Sequence, residues 1–260
     1  MLKYKFINIV FIILLILYGT NLNAQTFGFG CLGFFGGYGG VAYQSYKADG
    51  LNQFVKSFNE IRAATLSRPL GQYKDAVGYR VGINFFRASW ESGFIITAKG
   101  YYQYLSKTNE TSENFPDNTT GIYKYKLELK NWAVGIDLGY AFTNFLSWKI
   151  VDGAVHFNNL TLTNTNNLPG GTSVIKYDSE PGVLGYSIGT GIIISLVKDY
   201  VSLEGLAGYT YLKIDNLKKD DNGYFLEVPS DIDLESTEFG NFIESGGFTA
   251  VVQLNVGFPL

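Results

Sequence analysis

The 260-residue chain holds one cysteine and one histidine, and only 17% of its residues are charged. A single cysteine forms no intramolecular disulfide, so no covalent staple holds the fold. Water-soluble domains average about 25% charged residues, so an ordinary soluble enzyme is a poor match. Basic clusters are missing as well, and a formal net charge of −3 leaves no footprint for nucleic acid. Beyond residue 24 no run of 18 apolar residues occurs, which excludes a membrane-spanning helix there. What the chain has instead is 46% hydrophobic residues, 31 glycines, 20 phenylalanines and 19 tyrosines. That is far too apolar for a disordered chain.

The N-terminus carries Lys3 and Lys5, an apolar run from Phe6 to Leu17 broken only by Asn8, and then small and polar residues to Gln25. This is the order of a secretory signal peptide, and the run is shorter than the ~20 residues of a spanning helix. Cleavage is expected after Ala24, dividing the chain into a signal peptide (1–24) and one domain (25–260). Cys31 lies too far downstream for a lipoprotein anchor, and Gly28 stands where an aliphatic residue would be needed.

Alternation dominates the rest. Trp132, Val134, Ile136, Leu138, Tyr140 and Phe142 are separated by Ala133, Gly135, Asp137, Gly139 and Ala141, and a period of two over that length is a strand. Leu184, Tyr186, Ile188, Ile192, Ile194 and Leu196 repeat it, as do Val252, Leu254, Val256, Phe258 and Leu260. Eight such segments are predicted, near 26–45, 77–88, 93–106, 122–142, 148–163, 183–197, 201–213 and 247–259. The links between them alternate in length: long and polar at 46–76, 107–121, 164–182 and 214–246, short at 89–92, 143–147 and 198–200. Upstream of Trp132 the apolar parity reverses, with Tyr123, Tyr125, Leu127 and Leu129 apolar, and a bulge near Lys130 and Asn131 is expected to restore it.

Sorting of loop length by parity, an even strand number and aromatic ends are features of transmembrane barrels, and a sheet in lipid must close on itself. On this pattern the chain resembles the small eight-stranded outer-membrane barrels of Gram-negative bacteria. Its Asn23-Ala24-Gln25 junction and its glycine and tyrosine usage resemble those from Bacteroidota. The resemblance implies an all-β, eight-stranded antiparallel up-and-down transmembrane barrel in the outer membrane, with outer-membrane lipid around it. The alternating end from Val256 to Leu260 resembles the terminal insertion signal of such barrels, departing from it in a final Leu rather than an aromatic.

If apolar side chains face lipid, parity sends Arg80, Lys99, Asp137, Asp152 and Glu204 into the lumen. An eight-stranded lumen is just wide enough for side chains to fill, so these charges are expected to pair as a structural plug. His156, in phase with Asp152 and Asn158, lacks the His-x-Ser pattern of the lipid A deacylases, which would use the imidazole to activate a serine. No catalytic residue is assigned to it. Gly28, Gly30 and Gly33 fit a dinucleotide fingerprint by letters alone, without the following helix and acid that it requires. The glycines around Tyr38 are read as aids to curvature that let aromatic rings lie over bare backbone.

The first long link holds the one helical pattern, with Leu51, Phe54, Val55, Phe58 and Ile61 on one face and Asp49 near its start. That face must be buried on the rim, on another loop or on a partner. Asp220, Asp221, Asn222, Asp231, Asp233 and Glu235 in the fourth link lack calcium-loop spacing and are read as a solvated acidic loop. No metal, cofactor or catalytic residue is expected. The function expected is a non-enzymatic envelope protein whose external loops bind an envelope or surface protein. The alternative is a barrel enzyme or transporter acting on lipids or small hydrophobic molecules.

Overall fold

A computed structural model of the protein describes residues 36–197, 200–215, 217–219 and 242–257. The expected signal peptide, the glycine fingerprint with Cys31, the acidic residues of the fourth link and Phe258 to Leu260 lie outside the described residues. The elements are β1 (Gly36–Ser45), α1 (Asp49–Ile61), β2 (Asp75–Ser89), β3 (Phe94–Asn114), β4 (Thr120–Ala141), β5 (Leu146–Leu168), β6 (Gly171–Asp178), β7 (Val183–Val197), β8 (Val201–Leu212), β9 (Lys218–Lys219) and β10 (Phe248–Gly257).

Eight of the strands, in the order β1-β2-β3-β4-β5-β7-β8-β10, form an antiparallel barrel. It closes where β1 pairs with β10, from Gly36 opposite Gly257 to Gln44 opposite Thr249. These are the eight strands expected from alternation. At one end the connections are tight, as at 90–93, where Gly93 takes a φ of 89° to make the reversal. At the other end lie α1 and the longer excursions.

Two of the expected long links are strand for most of their length. β3 continues to Asn114 and β4 starts at Thr120, leaving 115–119 as the only turn. β5 continues to Leu168 and pairs with β6, a strand that the sequence reading places in a link. These extensions carry Thr108, Thr111, Thr165 and several asparagines, so they lack the apolar contrast that betrays a half-buried strand.

The expected bulge near Lys130 and Asn131 is not there. β4 pairs without a shift through that region with both β3 and β5. Its parity never breaks: Tyr123, Tyr125, Leu127, Leu129, Asn131 and Asp137 all point inward and are buried, while Trp132 and Ile136 point outward and are 64% and 62% exposed. The reversal of apolar parity is therefore a change in which face is greasy, on one continuous strand. Register shifts occur instead near the turn end, around Phe85 on β2, Ile150 on β5 and Leu196 on β7.

Toward the turn end the barrel wall is apolar outside and polar inside. Toward the loop end Leu105, Leu127, Leu129, Leu160, Leu162 and Leu212 turn inward to form a core with α1, Tyr73, Phe242 and Ile243. Tyr38 shows what the glycines allow: its ring lies against Gly82 on β2, where a Cβ would come within 2.4 Å of it.

Candidate functional site in the lumen and the cap

Arg80, Lys99, Asp137, Asp152 and Glu204 are all buried inside the barrel. The structure brings four of them together around a residue that the sequence reading omits, Lys149. Its ammonium lies 3.0 Å from Asp137 and 3.3 Å from Asp152, and it donates to Glu204. Lys99 donates to Asp152 and lies 3.8 Å from Asp137. Glu204 also accepts from Asn255 Nδ2 at 3.1 Å. Arg80 stands apart: its guanidinium donates twice to Gln103 Oε1, at 2.9 and 2.7 Å, and lies 4.1 Å from the Tyr101 ring centre. Three cations thus balance three carboxylates in a space from which bulk water is excluded, where each ion unpaired would cost several kcal/mol.

Lys149 was missed because of the bulge at Ile150. Simple alternation from Asp152 puts Lys149 on the lipid side; the extra residue between Lys149 and Val151 turns it inward. The signal was present in the sequence, since a Lys on the lipid face costs up to about 2–4 kcal/mol. The bulge at Phe85 does the same for Arg87, which pairs with the buried Thr97 and lines the lumen's turn-end vestibule, a cavity of about 260 Å³.

His156 is fully enclosed, and here too sequence reasoning missed a partner. Its Nε2 lies 2.8 Å from Ser187 Oγ on β7 and 3.4 Å from Tyr101 Oη. A serine and a histidine at that distance have the geometry of a nucleophile and its base. Two observations argue against that use. His156 Nδ1 has no hydrogen-bond partner among the described residues, so the group that would orient the imidazole is missing. The cavity beside Ser187, shared with Arg80 and Asp152, measures about 20 Å³, room for one water rather than a substrate.

In the cap, Leu51, Phe54, Val55 and Phe58 are buried and Ile61 is partly so. Phe54 packs edge-on against Tyr125 at 5.5 Å, and Phe58 against Tyr123 and Tyr125 at 5.2 and 5.7 Å. The helical face is thus covered by the barrel's own inward tyrosines. Asp49 lies in the first turn behind Ala48, which supplies no side-chain cap. Two residues outside the apolar pattern fasten the helix. Asn52 and Asn59, two turns apart, each grip the backbone of the returning chain: Asn52 both accepts from Tyr73 N at 2.7 Å and donates to Tyr73 O at 2.9 Å, and Asn59 does the same at Leu70. Arg62 lies 4.6 Å from the Phe58 ring centre and 3.6 Å from Glu113. Burial raises the hydroxyl pKa of Tyr46, Tyr73 and Tyr125 above the ordinary 10.0.

Outside the cap, between α1 and the segment before β2, lies a polar groove of about 520 Å³ with Lys47, Asn52, Lys56, Gln72 and Lys74 on its walls. Among the described residues no cluster of His, Cys, Asp and Glu is arranged to hold a metal ion.

No protein-family model matches the chain, and no curated protein does. Among solved structures it is similar to the crystal structure of Ail, the attachment invasion locus protein of Yersinia pestis, at 12% identity and a TM-score of 0.37, over 86% of this chain and 97% of that one. It is also similar to Ail in complex with the heparin analogue sucrose octasulfate, with the same identity and coverage and a TM-score of 0.38.

Proposed function

We propose that the protein is an integral outer-membrane barrel, non-enzymatic, that exposes its loop end for binding to an envelope or surface partner. The observation that carries this reading is the inverted wall. Val81, Ile83, Val134, Ile136, Val155, Ile188, Ile192, Val252 and Leu254 are outward and exposed around the barrel, a belt that water would not tolerate. Aromatic rings edge it on both sides. Phe94, Tyr140, Phe142 and Trp148 lie toward the turns, and Tyr79, Tyr102 and Trp132 toward the loops, with the Tyr102 and Trp132 centres 5.0 Å apart. Such girdles mark the two interfaces of a bilayer.

The lumen is filled by paired charges and closed above by the cap, which supports a sealed barrel rather than a channel. The apolar face of α1 is used up inside the cap, so a partner is met by polar surface, for which the groove beside α1 is a candidate. Fractionation tests the location: the protein should be found in detergent-extracted outer membrane, and recovery as a soluble periplasmic species contradicts it. Planar-bilayer recordings should show no steady porin-like conductance.

The enzymatic reading has one observation in its favour, the Ser187–His156 pair. Replacement of Ser187 by Ala should leave the composition of envelope lipids unchanged; a lipid modification that disappears with Ser187→Ala and with His156→Ala together would reverse the assignment.

A further inference from the structure

On its lipid side the wall is indented over β7, β8 and β10. Gly205 sits directly between Ile192 and Val252, and one level toward the loops Ala207 sits between Thr190 and Ala250. These small residues lie along a groove of about 520 Å³ flanked by Trp148, Ile192 and Val252, with Phe142 and Leu146 at its turn end.

No close contact within the described sheet requires a glycine at Gly205. At Gly189 and Gly208, on the same two strands, a Cβ would come within 2.8 and 2.4 Å of a neighbouring carbonyl oxygen, so the backbones themselves require glycine. At Gly205 a Cβ meets nothing within 4 Å. A strand glycine costs packing and can mark a place where another body comes close, and among the described residues nothing fills that place at Gly205. Nor does the groove suit a polar occupant. The Thr190 hydroxyl at its centre is already spent, donating to Lys149 O at 2.8 Å and accepting from Trp148 Nε1 at 2.9 Å.

We propose that this groove seats one fatty acyl chain of a glycerophospholipid from the turn-side leaflet, held more persistently than the lipid over the rest of the belt. The inference rests on the membrane reading given above. The groove is continuous with the belt, its turn end lies among the girdle rings Phe142 and Trp148, and its volume lies within the ~300–1,000 Å³ range of small-ligand sites. Only hydrocarbon fills such an indentation in a bilayer without stranding a polar group, and an unfilled one forfeits dispersion contacts along its whole length.

The experiment uses the full mature chain, reconstituted in phosphatidylethanolamine and phosphatidylglycerol vesicles, with two readouts. Trp132, in the loop-side girdle on β4, reports the membrane reading: in a Trp90→Phe, Trp148→Phe protein its fluorescence should be quenched by acyl chains brominated near the headgroup. Native mass spectrometry after transfer to mild detergent reports the groove. The wild type should carry one retained phospholipid per barrel, and Gly205→Leu, which fills open space, should lose most of it while Val134→Leu keeps it. Ala207→Leu provides the same readout should Gly205→Leu fail to assemble. Absence of Trp132 quenching refutes the membrane reading itself. Quenched Trp132 with equal retention in wild type and filled variant, or a lipid-free dimer dispersed by Gly205→Leu, overturns the acyl-chain proposal alone.

Discussion

The two halves of β4 obey opposite rules on one unbroken strand. From Tyr123 to Leu129 the inward side chains are apolar and the outward ones are Lys124, Lys126, Glu128 and Lys130. From Trp132 to Leu138 the outward ones are apolar, and inward stand Ala133, Gly135 and Asp137. Nothing in backbone or register changes between them. What changes is the surroundings: the cap is built as a protein in water, with a hydrophobic interior, and the belt as a protein in lipid, with its polar groups turned in. Alternation therefore reports a strand, and only the neighbouring strands report which face is inside. A reversal of apolar parity is better read as a solvent boundary than as a bulge.

The largest effect is expected where the belt's interior is broken. Lys149→Met leaves Asp137 and Asp152 to share Lys99 and strips Glu204 of its cation, and removing one partner of a buried ionic cluster costs about 3–5 kcal/mol. Urea titration of the reconstituted barrel, followed by its gel shift, should show that loss, with Lys149→Arg retaining most of the stability. If Lys149→Met is neutral, the charges are not a structural plug.

On the outer wall the effect is somewhat smaller. Ile136→Arg places a charge on the lipid face, at about 2–4 kcal/mol near the midplane, and should impair assembly in vesicles far more than Val134→Leu on the same face. In the cap the penalty for an outward charge vanishes: Lys130→Ile, outward but beyond the girdle, should be close to neutral.

Changes confined to the cap should leave the belt intact. Replacing Phe54 and Phe58 together by Ser removes the rings packed on Tyr123 and Tyr125. Limited proteolysis should then cut around α1, while the barrel stays heat-resistant on gels. Loss of heat resistance would mean that cap and belt form one cooperative unit.

The smallest effect is one of pH. The buried hydroxyls of Tyr46, Tyr73 and Tyr125 ionise less readily in the folded cap than in an opened one. Below pH 10 both states keep their protons and the cap is indifferent to pH; above it the opened state loses protons first, so cap stability falls as pH rises. Hydrogen exchange of α1 amides, corrected for the intrinsic rate, should be flat to about pH 9 and show opening beyond it.

The barrel was legible because lipid-facing strands advertise themselves: every exposed Val, Ile or Trp between two small residues contributes to one signal. The tops of β3 and β5 were not, because strands with water on one side and Thr or Asn on both lack that contrast, and β6 was not because its apolar Val174 and Ile175 are adjacent and fall on opposite faces. In the lumen, Arg80, Lys99, Asp137, Asp152 and Glu204 followed from parity alone, whereas Lys149 and Arg87 sit behind bulges that parity does not foresee. Ser187 could be paired with His156 only through the register of β5 against β7, where Ala154 faces Ser187 and His156 faces Gly185. Asn52 and Asn59 carried a faint signal, a spacing of seven on a helix, that means little until the chain they grip is seen to return beside it.

The most direct test of the solvent boundary is cysteine labelling along β4. Single cysteines replace Lys124, Lys126, Lys130, Trp132, Val134, Ile136 and Leu138 in turn, in a Cys31→Ser background, and the reconstituted proteins are exposed to a water-soluble maleimide. The account predicts rapid labelling at 124, 126 and 130, protection from 134 to 138, and a transition at Trp132. Labelling of all seven positions at similar rates would place both halves of β4 in water and contradict it.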